Sequence, residues 1–183
     1  MNASSAGGAG KGLPPHILIP GGTAMEYLPV GGKNRKQADA FLAERWFSTI
    51  MIIRGEKIDL TKADGIAALE DGRILGLLTY LVRGGVCEIT SLDSLAENRG
   101  IGTALIRKAI RIAGECGCRK VVVVTTNDNI RAIRFYQKRG FDMAAFRRNA
   151  LDVSRKLKPE IPLVGDDGIP LRHEIEFELE LSR

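Results

Sequence analysis

A glycine-punctuated turn at residues 98–103 constrains this 183-residue chain more than any other feature. It follows a segment with strand character and leads into a predicted helix. The helix is predicted over residues 100–115, in which apolar residues recur at helical spacing. Gly100 and Gly102 allow a ligand to approach the backbone closely, and the first amides of a helix have no intrahelical partners. Such a turn favours a phosphate group, because free amides and the helix dipole both attract negative charge.

Two other phosphate-binding patterns fail on spacing. The dinucleotide fingerprint G-x-G-x-x-G needs a third glycine where this chain has Leu105, and the Walker motif needs a G-K-S/T triplet that the sequence lacks. For the turn alone, glycines that serve only a steric purpose are an alternative. The residues downstream therefore decide the interpretation.

The turn resembles the pyrophosphate-binding signature of the GNAT N-acetyltransferase superfamily, Q/R-x-x-G-x-G/A, and it does so in two registers. One register begins at Glu97 and keeps both glycines where most members have them. The other begins at Arg99 and keeps the basic residue. In both registers the backbone amides of residues 99–104 would hold the phosphates.

The residues that follow a run of four valines at 121–124 extend the resemblance. They are similar to the superfamily block N-x-x-A-x-x-x-Y-x-x-x-G-F in residue type and spacing. The matching residues are Asn129, Ala132, Tyr136, Gly140 and Phe141. Two motifs in the right order, with a predicted strand between them, argue against a chance match, and the resemblance covers about residues 66–146.

The resemblance implies an α+β fold, in which a mixed central β-sheet is flanked by helices in a three-layer α/β/α sandwich. The order of predicted elements agrees, with a helix at residues 36–47, antiparallel strands up to residue 92, and a helix at 100–115. A strand, a further helix and two more strands follow. Valines on both faces of residues 121–124 predict a central strand with a parallel neighbour.

The last predicted strand alternates apolar and acidic residues, which predicts an outward row of glutamates. The row consists of Glu174, Glu176, Glu178 and Glu180. It would attract a cationic acceptor if it lined the active-site cleft, and it would otherwise be a solvated face.

Composition limits the remaining organisation. Residues 1–35 are rich in Gly, Ala, Ser and Pro and predict a flexible arm, followed by a single domain at 36–183. No apolar run approaches the roughly 18 residues of a membrane span, and the first residues lack the basic region of a secretory signal. We therefore expect a cytoplasmic protein without a membrane segment.

Cysteines, histidines and charge are consistent with a metal-free enzyme. Three cysteines without C-x-x-C spacing and only two histidines predict no metal site. A net charge of +5 suits an acidic ligand such as coenzyme A without selecting it. The absence of RNP-like aromatic patterning argues against nucleic-acid binding.

The resemblance implies an N-acetyltransferase with acetyl-CoA as co-substrate. It would transfer the acetyl group to a primary amine by direct attack in a ternary complex. The acceptor would be a small molecule or a protein amine, and a homodimer is left open. The alternative is a non-catalytic acyl-CoA-binding or regulatory module.

The resemblance also implies which residues contact the cofactor. Besides the turn, the end of the preceding strand would lie beside the acyl group, with Ser94 where the superfamily has valine. The predicted cofactor-binding residues are Leu92, Asp93, Ser94, Arg99, Gly100, Ile101, Gly102, Thr103, Ala104 and Asn129.

Two residues are candidates for proton chemistry. Tyr136 occupies the position where many members place a tyrosine near the coenzyme A sulfur, and a core aromatic beside Phe135 is the alternative. A phenol pKa of about 10 exceeds a thiol pKa of about 8.5, so hydrogen bonding is expected as much as proton donation. Glu88, four residues before Leu92, resembles the glutamate base of some histone-modifying members. A free glutamate has a pKa near 4.3, so burial would have to raise the pKa of Glu88 before it could take a proton from an ammonium. The alternative is that Glu88 is a solvated or ion-paired glutamate without a catalytic role.

Overall fold

The computed structural model describes residues 24–96 and 98–182, which contain nine strands and four helices. The strands are β1 (Glu26–Pro29), β2 (Ile50–Ile53), β3 (Glu56–Asp59), β4 (Asp64–Glu70), β5 (Arg73–Arg83), β6 (Val86–Ser94), β7 (Lys120–Thr126), β8 (Asp142–Arg147) and β9 (Glu174–Glu180). The helices are α1 (Arg35–Trp46), α2 (Ile101–Glu115), α3 (Ile130–Gln137) and α4 (Ala150–Leu157). Within the described residues, no helix is both long enough and apolar enough to cross a bilayer.

Seven strands form one sheet in the order β1-β4-β5-β6-β7-β9-β8, whereas β2 and β3 pair with each other in a separate hairpin. β6 and β7 run parallel, and the other neighbouring pairs of the described sheet are antiparallel. The sheet is therefore mixed, as predicted.

The valine-rich strand β7 is the central strand that the sequence predicts. Val121, Val122 and Val123 are almost completely buried, because packed elements cover both faces of the sheet. The parallel neighbour is β6, which pairs with β7 from Val86↔Lys120 to Ile89↔Val123.

Each face of the sheet has its own core. Helices α2 and α3 pack on one side, called here the α2 face, whereas α1 and the β2–β3 hairpin pack on the other, called the α1 face. The core of the α2 face includes Leu78, Ile89, Leu105, Val123, Tyr136 and Phe177. The core of the α1 face includes Phe41, Leu42, Ile53, Ile58 and Leu77. This arrangement confirms the three-layer sandwich.

The structure differs from the predicted arm at residues 26–29. Residues 1–23 lie outside the described part of the chain, but Glu26–Pro29 forms the edge strand β1 and pairs with β4. Tyr27 on this strand packs against the core of the α2 face. A strand of four residues shows no periodicity of its own, and a proline is tolerated at an edge, so composition alone does not reveal it.

The glutamate row on β9 differs from the prediction at one position. Glu174 is only 2% exposed, whereas Glu180 is exposed and the two glutamates between them are partly exposed. The tip of the β2–β3 hairpin covers this end of β9, since the backbone N–H of Arg54 donates to Glu174 Oε1 at 3.3 Å. The alternation of apolar and acidic residues along β9 cannot predict that a hairpin distant in sequence buries Glu174.

β6 and β7 separate after the pair Ile89↔Val123. At the same level the register between β5 and β6 shifts, so that Thr90 and Ser91 both lie opposite Thr79. Thr79 Oγ1 lies 2.7 Å from Thr90 Oγ1 and 2.6 Å from Ser91 Oγ, which satisfies these buried hydroxyls. A bulge of this kind bends a strand and ends its pairing. It leaves a gap between β6 and β7 in the middle of the sheet.

Gly76 on β5 brings the start of α2 close to the sheet. A Cβ at this position would lie 2.5 Å from Ile101 Cγ2 and 3.3 Å from the carbonyl oxygen of Asp93. Glycine therefore sets the height at which α2 begins above β5 and β6.

We expect Gly76→Ala to destabilise the protein by about 1–3 kcal/mol, because the added methyl group overpacks the contact with Ile101. Gly114→Ala is the matched control, since Gly114 lies in α2 with nothing within 4 Å of an added Cβ. That substitution should stabilise the helix by up to about 1 kcal/mol. Thermal denaturation of both variants tests the prediction, and equal melting temperatures would contradict it.

Candidate active site

Two adjoining clefts lie between the end of β6, the start of α2, and α3. The first, of about 280 Å³, is lined by Leu92, Asp93, Ser94, Gly102, Asn129, Arg131, Ala132, Phe135 and Tyr136. The second, of about 460 Å³, is lined by Ser94, Ala96, Asn98, Gly100, Ile101, Gly102, Thr103, Arg131, Phe135 and Arg139. Four residues line both clefts, so they form one groove, called here the α2 groove. Most of the predicted cofactor-binding residues therefore meet in one place.

The glycine turn presents free amides to the α2 groove. Gly100 is the residue before α2 and has a left-handed backbone with φ of 76°, which glycine adopts without strain. Within the described residues, the amides of Ile101, Gly102 and Thr103 make no hydrogen bond, as expected for the first turn of a helix. The Ala104 amide donates to the Gly100 carbonyl at 3.0 Å, so the predicted cradle is one residue shorter.

Gly102 at the start of α2 lies beside the Phe135 ring of α3. A Cβ at residue 102 would lie 3.4 Å from two ring atoms of Phe135, tighter than most contacts of this kind. The glycine therefore leaves space beside the free amides that a larger residue would fill.

The predicted residue Arg99 points away from the groove. Its guanidinium donates to Glu70 Oε1 at 2.6 Å and to Glu70 Oε2 at 3.0 Å at the end of β4. Arg99 is absent from the lining of both clefts, and Glu97, which begins the alternative register, lies outside the described residues. The side-chain contribution predicted for Arg99 is therefore not seen.

Arg139, which the sequence analysis did not select, supplies a cation at the groove. Its guanidinium stacks 3.4 Å from the centre of the Phe135 ring and donates to the Phe135 carbonyl at 2.7 Å. It also donates to the hydroxyl of Thr103 in the first turn of α2. A second cation, Arg131, lines both clefts from the first turn of α3. The groove thus combines free amides with two guanidinium groups.

The end of β6 forms the opposite side of the groove. Asp93 accepts from Arg45 of α1 at 2.9 Å and from the backbone N–H of Ser94 at 2.7 Å. Because pairing with β7 stops at Ile89, the edge of β6 beyond it has no strand partner on the β7 side within the described residues. Leu92 completes this part of the lining.

Tyr136 lies at the inner end of the groove. Its ring is 5.4 Å from Phe135, 5.6 Å from Phe141 and 5.8 Å from Phe177 between centroids, and the residue is 6% exposed. Its hydroxyl has no hydrogen-bond partner within the described residues, although Tyr136 lines the cleft. Burial raises the pKa of Tyr136 above its ordinary value, so the phenol stays protonated. It can donate a hydrogen bond into the groove.

Asn129 fixes the start of α3 and thereby the position of this tyrosine. Its side chain accepts from the Ala132 amide at 2.9 Å, which is an N-cap contact, and the residue also lines the cleft.

The family model described as the "Acetyltransferase (GNAT) family" matches residues 35–141, more than half of the chain. The chain belongs to this family. It is 41% identical over 159 residues to the uncharacterized protein YxbD of Bacillus subtilis, which covers 86% of this chain and 100% of that protein. It is 46% identical over 138 residues to YdhI of the same organism, covering 75% of this chain and 86% of that protein.

Solved structures agree on the fold. A Bacillus subtilis acetyltransferase in complex with CoA superposes with a TM-score of 0.65 at 18% identity, covering 87% of this chain and 100% of that one. The predicted GNAT fold is confirmed, and membership of the family confirms that the chain is an acetyltransferase.

The predicted base, Glu88, does not share a cleft with Tyr136. It lies on the α1 face, where it accepts from the Arg54 guanidinium at 2.5 Å. The pocket around it, of about 390 Å³, is lined by Arg54, Glu56, Leu81, Arg83, Val86, Glu88, Lys120, Val122, Arg147 and Glu176. The GNAT domain therefore has a groove on one face and a highly charged pocket on the other, on either side of the central strands.

Proposed function

We propose that the protein transfers the acetyl group of acetyl-CoA to a primary amine by direct attack in a ternary complex. The observation that carries the proposal is the α2 groove, in which free helix amides, two arginines and a buried tyrosine hydroxyl follow one another. The acyl donor is a substrate and supplies the thioester carbon that the amine attacks. We also propose that the protein acts in the cytoplasm, as expected from the sequence.

The outer end of the groove suits a diphosphate. The amides of Ile101, Gly102 and Thr103 are unpaired within the described chain, and amides at a helix start bind anions well. Arg131 and Arg139 add two positive charges to the same lining. The CoA bound to the B. subtilis acetyltransferase of the same fold supports this choice of ligand.

The edge of β6 suits the acyl end of the donor. Residues 92–94 line the groove next to the gap between β6 and β7, and backbone N–H groups on an unpaired edge can stabilise negative charge on a thioester oxygen. The Ser94 amide is already bonded to Asp93, so the stabilising donor is an amide nearer the bulge.

Tyr136 is the candidate that stabilises the departing thiolate. A buried phenol without a protein partner can donate a hydrogen bond to sulfur when the carbon–sulfur bond breaks. Since burial raises the pKa of Tyr136 further above that of a thiol, the hydroxyl acts by hydrogen bonding and keeps its proton.

The acceptor side of the proposal is the charged pocket on the α1 face. Glu88 and Glu176 line it, and both are carboxylates with side chains that are largely buried. An ammonium group, whether it belongs to a small molecule or to a protein, is attracted by such carboxylates. Because Arg54, Arg147 and two further cations also line the pocket, the ammonium would bind by replacing a guanidinium that now pairs with these carboxylates. Glu88 already pairs with the guanidinium of Arg54, so a second cationic group could bind to this carboxylate in its place.

Free thiol released from acetyl-CoA in the presence of a panel of primary amines tests the proposal. We expect thiol release above the rate of hydrolysis with at least one amine, and a matching acetylated product by mass spectrometry. Micromolar binding of acetyl-CoA without turnover on any amine would contradict it and favour the non-catalytic acyl-CoA-binding module.

A further inference from the structure

The tip of the β2–β3 hairpin places one arginine above three glutamates of the main sheet. Arg54 and Gly55 form the tight turn, both with positive φ. The Arg54 guanidinium donates to Glu88 at 2.5 Å and to Glu176 at 3.2 Å, while its backbone N–H donates to Glu174 at 3.3 Å. One carboxylate from β6 and one from β9 thus pair with the same guanidinium, and a third, from β9, contacts the backbone N–H of that arginine.

The three carboxylates differ in how their charge is balanced. Glu88 and Glu176 form ion pairs with Arg54, and Glu176 has a second one with Arg147 at 2.9 Å. Glu174 has no ion pair within the described residues. It is 2% exposed, and its Oε2 atom is buried with no hydrogen-bond partner among the described residues. A buried carboxylate oxygen without a hydrogen bond destabilises the fold, so its presence calls for an explanation.

Glu174 lies on β9, one strand away from the gap between β6 and β7. It pairs with Thr126 at the end of β7, three residues beyond the last pair between β6 and β7 at Val123. Paired residues of neighbouring strands point to the same face, so Glu174 is on the α1 face with Glu176 and Glu88. The carboxylate therefore lies on the side of the sheet opposite the α2 groove, at the end of β7 where β6 and β7 no longer pair.

We propose that Glu174 accepts the proton that the acceptor ammonium must lose, while Glu88 and Glu176 bind that ammonium in place of the Arg54 guanidinium. This inference rests on the proposed amine acetylation. The Arg54 side chain is 29% exposed, so it can turn toward solvent when a cationic acceptor arrives. The acceptor is accordingly a primary amine that is positively charged in solution.

Acetyl transfer to an ammonium removes two protons from the acceptor nitrogen. One proton passes from the ammonium to the Glu174 carboxylate, directly or through one water, and later to solvent. The nitrogen lone pair then forms the bond to the acyl carbon, and the carbon–sulfur bond breaks. The second proton on nitrogen ends on the thiolate, while Tyr136 donates a hydrogen bond to that sulfur.

Electrostatics favours Glu174 over Glu88 for proton acceptance. A free ammonium has a pKa near 10.4 and a free carboxyl group has one near 4.3. A carboxylate that accepts a proton from an ammonium therefore needs a raised pKa. Burial raises the pKa of Glu174, and the like charge of Glu176 acts in the same direction. The N–H of Arg54 and the charges of Arg54 and Arg147 oppose this shift without cancelling it. Glu88, in contrast, already accepts a hydrogen bond from the Arg54 guanidinium at 2.5 Å.

The first test compares kcat/KM against pH for the wild type, Glu174→Gln, Glu88→Gln and Glu180→Gln, using an amine that the wild type acetylates. We expect Glu174→Gln to lower kcat/KM about 100-fold and to remove the acidic limb of the profile, with acetyl-CoA affinity unchanged. Glu88→Gln should chiefly raise KM for the amine. Glu180→Gln, exposed on the same strand, should behave as the wild type.

The second test needs no acceptor and measures unfolding of wild type and Glu174→Gln between pH 4 and pH 8. Because the folded-state pKa of Glu174 is raised, the folded protein binds more protons than the unfolded one between the two pKa values. Wild-type stability therefore falls as pH rises through this window, and Glu174→Gln should gain stability relative to wild type over it. Glu180→Gln should run parallel to wild type.

The outcomes separate the two hypotheses. An active wild type with an unchanged Glu174→Gln profile, or parallel unfolding curves for these two proteins, would overturn the role of Glu174 and leave amine acetylation standing. A wild type that binds acetyl-CoA but acetylates no amine would overturn the proposed function and this inference with it.

Discussion

Replacing Gly102 with glutamate is expected to lower the affinity for acetyl-CoA at least about 100-fold. The new carboxylate would lie in the first turn of α2, beside the amides of residues 101–103, which make no hydrogen bond within the described part of the chain. Two unit charges about 5 Å apart at an effective dielectric constant of about 20 repel by roughly 3 kcal/mol. Since about 1.4 kcal/mol corresponds to a tenfold change in Kd, repulsion of one phosphate is sufficient for this loss. Titration calorimetry with acetyl-CoA measures it.

Two further variants separate charge from bulk. Gly114→Glu adds the same carboxylate near the other end of α2, where nothing lies within 4 Å, and should leave the affinity unchanged. Gly102→Ala adds only a Cβ, 3.4 Å from the Phe135 ring. It should lower the affinity for acetyl-CoA only a few-fold. Wild-type affinity in Gly102→Glu would show that the turn does not hold the phosphates.

The turn and the tyrosine can be predicted from the sequence because each belongs to a motif of closely spaced residues. The glycines at 100 and 102 begin α2, and the seven-residue interval from Asn129 to Tyr136 spans two turns of α3. Local spacing along a helix determines these positions, so a linear pattern contains the geometry. The central strand β7 was predictable for a different reason, since valines on both faces of residues 121–124 indicate a strand covered on both sides.

The charged groups around the site are set by contacts between distant segments, which a linear pattern does not contain. Arg99 fits the motif but pairs with Glu70, 29 residues earlier, because β4 ends beside the turn. Arg139 lies just after α3 and faces the groove. The one feature of the sequence that indicates its contact with Phe135 is the interval of four residues between them. Glu174 and Arg54, separated by 120 residues, meet only through the β2–β3 hairpin.

Replacing Tyr136 with phenylalanine is expected to reduce kcat about 10- to 100-fold while leaving the Kd for acetyl-CoA within about twofold. A hydrogen bond to a charged group contributes roughly 1.5–3 kcal/mol, and one to the departing thiolate exists only as the carbon–sulfur bond breaks. The ring contacts with Phe141 and Phe177 do not use the hydroxyl, so the core should keep its packing. Single-turnover thiol release and calorimetry measure the two quantities separately.

The stability of Tyr136→Phe decides how its kinetics are interpreted. The hydroxyl has no partner within the described residues, so removing it should change the free energy of unfolding by less than about 1 kcal/mol. Tyr27→Phe is the matched control, because Tyr27 lies on β1 with Lys108 above its ring, a contact that phenylalanine retains. A slow but stable Tyr136→Phe enzyme beside a normal Tyr27→Phe enzyme would assign the effect to the transition state. Unchanged kcat in Tyr136→Phe would contradict this role. The thiolate would then leave with a proton from the amine and without a hydrogen bond from Tyr136, whose ring would only pack in the aromatic core.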